Sequence, residues 1–490
     1  MKFRDLLCEL NVNPLSYKGF EDKTVRGIAD NSNDVKDGYI FIAIKGHQAD
    51  GHDYIQNAIR KGVSLIIGEK EIGDLPVPYI KTDNSRKALG VISKKYYQNP
   101  SKDKIMIGIT GTNGKTTTSY VLKHIVEQCG KTCAIIGTIQ NTINGKTLPS
   151  GNSTPSVLMI NQLLSVSTDD VVIMEVSSHG LTQCRVEGVE FDIGIFTNLY
   201  HEHLDYHRTM DEYFQAKLLL YNHLKKNGVA IINRDNEWGE KLAAILIERK
   251  IPVFSIGEDQ DNDVQLLDFL ATTSTIKAKE NDTAFEVACP IPGIHNMYNT
   301  MMAYLTARHI NISRPLVQQA ILSFTGVDGR FEQYKSDHMP TVIVDYAHTP
   351  DAIFHCIASA KTYGAKRIIH VFGFRGNRDK TKRPQMVSIS AKYSDIYILT
   401  LDDLNGIPEN EMVKTLEDLH HKFGNQKGVI IPDRTVAIQR AMEFANDGDW
   451  VIITGKGHES YKQNFSLHTH SDKETVELLL EPSKVQEITN

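Results

Sequence analysis

The residues whose chemistry shows first lie at 111–118, which read GTNGKTTT. An apolar run, KIMIGIT at 104–110, precedes them. The segment SYVLKHIVEQCG follows, with Val121, Leu122, Ile125, Val126 and Cys129 on one helical face. Strand, glycine loop and helix in that order place Gly111, Thr112, Asn113 and Gly114 where backbone N–H groups and a helix N-terminus can approach phosphates. Lys115 is expected to contact the β- and γ-phosphates of ATP and Thr116 to hold magnesium, with Thr117 completing the loop. The loop departs from the strict GxxxxGK[ST] form, because Ile109 stands where the first glycine belongs. A glycine-rich turn with a surface lysine is the competing reading, and the ordered strand, loop and amphipathic helix speak against it.

Two further segments carry chemistry. VVIMEVSSHG puts Glu175 at the end of a strand of buried type, from which a parallel sheet presents a carboxylate to a phosphate site. A hard cation takes such oxygen ligands. A solvated or capping glutamate is the plain alternative. TNLYHEHLDYH at 197–207 gathers His201, Glu202, His203, Asp205 and His207. Its spacing is not HExxH and it holds no cysteine, so a magnesium and substrate shell is expected rather than zinc.

The elements that must position these residues read as α/β. At 490 residues the chain exceeds one ordinary core and points to three domains. Residues 1–101 carry the strand-like runs YIFIAI and VSLIIG around a helical pattern, and the polar NPSKDK at 99–104 reads as a linker. Residues 102–333 hold the phosphate loop and further apolar runs alternating with helical patterns, as in a mostly parallel sheet. Residues 334–490 alternate most cleanly, with five strands and four helices in a Rossmann-like order.

Composition excludes several classes. Hydrophobic residues make up 41% and charged residues 23%, as in folded soluble proteins. The net charge of −6 comes without basic blocks, so no nucleic-acid face is expected. Apolar runs fall far short of a membrane span, and the start MKFRDLLCELN lacks a signal-peptide core. A cytoplasmic protein is expected. Six cysteines without a CxxC pair argue for reduced thiols rather than a zinc cage or disulfide framework.

GTNGKTTT, EVSSHGL, TNLYHEHLDYH, YFQAKLLLY, GIHNMYN, GVDGRFE, VDYAHTPDA, FGFRGNRDKTKRP and GKGHE follow one another in an order and spacing that resemble the Mur ligases over nearly the whole chain. GHQADGHDYI and GNSTP are most similar to the MurE type, which adds the third residue of the peptidoglycan stem. The resemblance implies an N-terminal domain for the UDP end of the substrate, a central ATPase domain and a C-terminal domain that brings in the amino acid. It implies that ATP is used with magnesium, two ions in all, held by Thr116, Glu175 and His203. It further implies a carbamate formed from CO₂ on Lys217, an anionic oxygen ligand for the second ion; from spacing alone Lys217 would be a helix-surface lysine.

By the same resemblance Asn296, Arg330, Asp345 and His348 close over adenine, ribose and γ-phosphate. Ser32 and His47, Gln48 and Ala49 match positions that hold UDP, and Asn152, Ser153, Thr154, Ser177, Gln183 and Arg185 those that hold the muramoyl-peptide. Arg378, Asp402, Asp403, Asn405, Gly455 and Glu459 would form the amino-acid pocket. Lys115, Lys217, His203 and Arg330 would be catalytic, with a monomer expected. The implied partners are UDP-N-acetylmuramoyl-L-Ala-D-Glu and a free amino acid, joined through an acyl phosphate.

Three departures from the family pattern bear on function. Asp402-Asp403-Leu404-Asn405 replaces Asp-Asn-Pro-Arg of the diaminopimelate-adding members. The missing arginine removes a bidentate clamp for a distal carboxylate, and Asp403 adds negative charge, which favours L-lysine or another amino acid over diaminopimelate. Asn31-Ser32-Asn33 replaces Asp-Ser-Arg, and His201-Glu202-His203 replaces Arg-Asp-His. A diverged Mur-type ligase acting on another carboxylate in a specialised pathway is therefore the second reading. A non-catalytic nucleotide-binding regulator is the third, opposed by Lys115, Glu175, His203, Lys217 and Arg330.

Overall fold

The structure, a computed structural model, describes residues 1–10, 17–46, 49–336 and 339–481. The chain forms two compact units. The first comprises residues 1–110, 130–195 and 216–230; the second comprises 111–129, 196–215 and 231–490.

In the first unit, β1 (Gly27–Ala29), β2 (Tyr39–Ile42), β3 (Leu65–Gly68) and β4 (Tyr79–Lys81) form a parallel sheet in chain order. Side chains alternate across a strand, so each face has its own core. Ile40, Ile42, Leu65 and Ile67 pack with Phe3, Leu6, Leu89 and Ile92, whereas Phe41 and Ile66 pack with Ala29, Ile55 and Ala58 on the other side. The same unit holds β5 (Ile105–Thr110), β6 (Cys133–Ile136), β7 (Gln140–Ile143), β8 (Lys146–Pro149), β9 (Val171–Glu175) and most of β10 (Phe191–Phe196) and β11 (Leu224–Asn233). Their order is β11-β10-β5-β9-β6-β7-β8. β5 and β6 flank β9 in parallel, and β7 and β8 extend the sheet as an antiparallel hairpin. The runs around the phosphate loop thus form the parallel sheet expected, while the hairpin's short, polar β8 gave no apolar signal in the sequence.

In the second unit β12 (Val253–Gly257) runs parallel to β13 (Val264–Leu270), and β14 (Thr275–Glu280) and β15 (Thr283–Ala288) continue antiparallel. A six-stranded sheet follows, of β16 (Glu332–Tyr334), β17 (Thr341–Asp345), β18 (Ile368–Phe374), β19 (Ile396–Leu401), β20 (Gly428–Ile430) and β21 (Trp450–Thr454), ordered β16-β17-β21-β18-β19-β20. All but β16 are parallel. Val342, Val344, Ile369, Val371, Ile398, Val451 and Ile453 pack on Ala437, Ile438 and Ala441 of the helix Arg434–Phe444. The five strands read from the sequence are β17–β21. Their carboxyl ends share one edge: Asp345 ends β17, and the segments 375–382, 402–405 and 455–459 follow directly from β18, β19 and β21. In open α/β sheets this is the edge at which ligands bind.

Candidate functional site

The phosphate-type loop belongs to the second unit, where it leads into the helix Lys115–Gln128. Gly111 and Gly114 have φ of 145° and 86°, and no side chain fits at either: a methyl on Gly111 would run into Thr197 Oγ1, one on Gly114 into Asn299 Oδ1. Thr197 Oγ1 donates to Asn113 O at 2.6 Å, Asn113 N donates to Asn198 Oδ1 at 3.0 Å, and Thr112 N donates to Asn198 O at 2.9 Å. Lys115 Nζ donates to Gly111 O and Thr112 O, both at 2.9 Å, so its charge lies over the loop. Asn296 is linked to this place indirectly: its Oδ1 accepts from Asn299 Nδ2 at 3.1 Å. Sequence reasoning overlooked Asn198 and Asn299, whose roles depend on backbone proximity that a motif does not encode.

Arg330 Nη2 donates to Thr116 Oγ1 at 3.2 Å, and the guanidinium carbon sits 4.3 Å from the centre of the Tyr346 ring. Asp345 accepts from Phe331 N at 2.5 Å and Ala347 N at 2.6 Å. Burial raises its carboxyl pKa against the pull of Arg330. His348 Nδ1 donates to Tyr346 O at 2.8 Å, which leaves Nε2 as an acceptor on a neutral ring. Burial, with the cations of Lys382, Arg375 and Arg330, pushes His348 well below the ordinary histidine value.

The histidine-rich segment is clasped to the segment after β18. Lys382 Nζ lies 2.9 and 2.8 Å from the two Glu202 oxygens, both side chains being buried, and His201 Nε2 lies 3.1 Å from Thr381 Oγ1. Burial pushes the Glu202 carboxyl up against Lys382. Glu202 at the second position of the departed motif thus has a cationic partner. His203 has φ of 59° and stands edge-on to Tyr213.

In the first unit Glu175 ends β9 and accepts from Thr138 N at 3.1 Å and Thr138 Oγ1 at 2.7 Å. A hydroxyl network spreads from it. Thr138 Oγ1 is 2.8 Å from Ser153 Oγ, and Thr154 Oγ1 is 2.9 Å from Glu175 O and 3.1 Å from Ser177 Oγ. Arg185 Nη1 donates to Thr154 O at 2.7 Å, and its Nη2 to Gln183 Oε1 at 2.8 Å. Ser153, Thr154, Ser177, Gln183 and Arg185 therefore form one cluster, with Asn152 exposed beside it. Lys217 corrects the surface reading: its residue is 2% exposed. Ser32 is buried and accepts from Asn57 at 3.1 Å. Lys61 Nζ donates to Asn33 O at 2.7 Å and restores a cation to the segment where Asn33 stands. Ala49 is exposed; His47 and Gln48 lie outside the described residues.

The pocket at the ends of β18, β19 and β21 differs most from expectation. Asp402 and Asp403 are 2% and 3% exposed, and both are compensated. Lys456 Nζ lies 2.7 Å from Asp403 Oδ1 and 3.5 Å from Asp402 Oδ1; Lys462 Nζ lies 3.1 Å from Asp403 Oδ2. Burial would raise Asp402, but Arg434, Arg375 and Lys456 bring its pKa below the ordinary value. The added negative charge of Asp403 is therefore already balanced inside the chain, and by itself selects no basic side chain. Asn405 Nδ2 donates to Gly376 O at 3.0 Å and Asn377 Nδ2 to Asn405 O at 2.8 Å, which zips the two loops together. Arg378 is exposed. Arg375, which sequence reasoning passed over inside FGFRGNRDKTKRP, donates through Nη2 to Gly455 O at 2.9 Å and Glu459 Oε2 at 2.6 Å.

Among the described residues no three His, Cys, Asp or Glu side chains are arranged as a metal cage. Thr116, Glu175 and His203 are donors of the kind a magnesium ion takes when phosphates supply further oxygens. Lys217, 2% exposed, is a primary amine of the kind that adds to CO₂.

Comparison with known proteins agrees with this layout. Residues 24–97 match the model of the Mur ligase family catalytic domain, residues 109–307 the Mur ligase middle domain, and residues 329–457 the Mur ligase glutamate ligase domain. The chain is 37% identical over 452 residues to a UDP-N-acetylmuramoyl-L-alanyl-D-glutamate–2,6-diaminopimelate ligase of Caldanaerobacter subterraneus, covering 91% of this chain and 92% of that one. The same-named protein of Aquifex aeolicus is also 37% identical, with 94% of each chain covered. A solved structure of a ligase of that name superposes with a TM-score of 0.69 at 26% identity, over 99% of both chains. The MurF ligase of Thermotoga maritima in complex with ADP shares the fold alone, with a TM-score of 0.64 at 17% identity over 95% of this chain and 98% of that one.

Proposed function

Since the chain belongs to the Mur ligase family, it is an ATP-dependent ligase, and we propose that it adds the third amino acid to UDP-N-acetylmuramoyl-L-Ala-D-Glu. The relatives at this level of identity are named for adding 2,6-diaminopimelate. Asn405 in place of an arginine supports a donor other than diaminopimelate. Lysine, expected from Asp402 and Asp403, now has to compete with the cations already paired to them. The proposed protein works in the cytoplasm as a monomer, with segments 1–101, 102–333 and 334–490 serving UDP-sugar, ATP and amino acid in turn.

The observation that carries this reading is the hydrogen bond from Arg330 to Thr116 Oγ1 at 3.2 Å. It brings a guanidinium to the first turn of the helix behind the phosphate loop, where charge develops as a phosphoryl group moves. In the proposed sequence the terminal carboxylate of the dipeptide attacks the γ-phosphorus in line and ADP leaves, giving an acyl phosphate. The amine of the incoming amino acid then attacks the acyl carbon, phosphate leaves and an amide remains. Lys115 and Arg330 offset the repulsion between two anions, and Asp345 holds the 330–347 turn by its two backbone bonds. Asn296 and His348 would border the nucleoside, and Lys217 would carry a carbamate. Magnesium, two ions at Thr116, Glu175, His203 and that carbamate, would supply Lewis-acid neutralisation of the phosphates. Ser32, His47, Gln48 and Ala49 would hold the uridine end. Asn152, Ser153, Thr154, Ser177, Gln183 and Arg185 would hold the muramoyl-dipeptide.

Phosphate release with ATP, magnesium, UDP-N-acetylmuramoyl-L-Ala-D-Glu and a panel of amino acids tests the proposal. Release stimulated by a donor other than diaminopimelate is expected. Absence of stimulation by every amino acid would overturn the acceptor assignment, and diaminopimelate as the best donor would overturn the reading of Asn405.

A further inference from the structure

The pocket holding Asp402, Gly455 and Glu459 contains its own cation. Arg375 follows β18, and the Arg383 guanidinium anchors its backbone by donating to Arg375 O at 2.8 Å. Its side chain, 19% exposed, lies across the face of Tyr346 with the guanidinium carbon 5.3 Å from the ring centre. Nη2 donates to Gly455 O and Glu459 Oε2, while Nε, buried without a hydrogen bond, faces Asp402 Oδ2 at 3.7 Å. The other Glu459 oxygen accepts from Tyr346 OH at 3.1 Å. The remaining acid, Asp403, is matched by Lys456 and Lys462. With Arg434, which acts on Asp402 and is itself paired with Asp472, four carboxylates face four cations, and the pocket is neutral before any ligand enters.

We propose that Arg375 is a donor-specificity residue that bars amino acids with a cationic side chain. The inference deepens the ligase reading and rests on its assignment of this pocket to the incoming amino acid. A carbonyl and two carboxylates at this spacing are what a side-chain ammonium would need, and Arg375 makes those contacts first. A tethered, permanently charged guanidinium that stacks on Tyr346 holds them at an effective concentration that a free amino acid does not reach. An ammonium entering beside it would also meet like charge at close range. The loop does not yield space easily, since a methyl on Gly376 would run into Leu404 O and the Asn377–Asn405 amide contacts tie the two loops together. The donor is therefore an amino acid with a neutral or carboxylate side chain.

The test is calorimetric titration of the full-length protein, saturated with ATP analogue and magnesium, with L-lysine, L-alanine and L-glutamate. It needs no nucleotide-sugar acceptor, so it separates failure of this inference from failure of the acceptor assignment, which the phosphate-release assay reads. Wild type should bind L-lysine at least tenfold more weakly than the best of the other two. Arg375→Met, which keeps the apolar stem on Tyr346, should gain at least tenfold in affinity for L-lysine, whereas Arg375→Lys should keep the wild-type order. L-lysine as the tightest ligand of wild type would overturn the proposal. So would an Arg375→Met protein that stays folded yet changes affinity for all three ligands equally, because a merely structural arginine would do that.

Discussion

The loop at 111–117 and the pocket around Asp402 both concentrate charge at the end of a strand, by different means. The loop relies on backbone N–H groups, a helix N-terminus and Lys115, whose ammonium donates to the carbonyl oxygens of Gly111 and Thr112 in its own loop. The pocket relies on carboxylates and cations that neutralise one another: the buried Asp402 and Asp403 and the partly buried Glu459 against the buried Lys456, the partly buried Arg375 and the exposed Lys462. The loop is built to receive a highly charged ligand and gives little to the fold. The pocket has settled its charges internally, so it should contribute to stability and read its ligand by shape and remaining polar groups.

The largest effect should come from the anion-receiving side. Lys115→Ala is expected to lower kcat by roughly a thousandfold while changing stability by less than about 1 kcal/mol. Lys217→Ala should abolish turnover and recover part of it with formate or acetate. Steady-state kinetics and urea denaturation check both, and full activity of Lys217→Ala without added carboxylate would remove the carbamate.

The pocket should respond in the opposite sense. Lys456 is 1% exposed and partners two buried carboxylates, so Lys456→Met should cost about 3–5 kcal/mol in unfolding free energy. A loss no greater than that of Lys115→Ala would erase the contrast between the two regions.

Acid should sharpen it more gently. His370 lies beneath the pocket, with Nδ1 2.7 Å from Ser390 Oγ and Nε2 2.9 Å from Thr454 Oγ1, and burial, aided by Arg434, pushes it down to about 3. Between the ordinary value of 6.5 and about 3 the unfolded chain takes up a proton that the folded chain refuses. The stability it contributes is whole above pH 6.5 and falls by about 1.4 kcal/mol per pH unit below it. His370→Gln should flatten the acid limb of a stability–pH curve by that slope; parallel curves would show that His370 does not titrate in this way.

Much of this molecule was legible in its residues. The GTNGKTTT loop and the apolar run before it are contiguous, and their chemistry depends on local backbone geometry, so order alone gave strand, turn, helix and ligand class. Of the five parallel strands of the last region, β17, β18, β19 and β21 were readable because strands buried on both faces carry unbroken apolar runs, and β20 because its short apolar run is flanked by Gly428 and Pro432. β8 and β16, short and polar or half-buried, gave no such run. Sequence alone likewise determined the acids at 402 and 403 and the absence of an arginine at 405. Only the tertiary structure decided what those acids mean, because Arg375, Lys456 and Lys462 reach them from separate segments. It also turned Lys217 from a surface lysine into a buried one, and supplied Lys382 as the partner of Glu202. Net charge at a site is a sum over neighbours in space, and burial depends on what packs above a residue; neither quantity is written in the order of the chain.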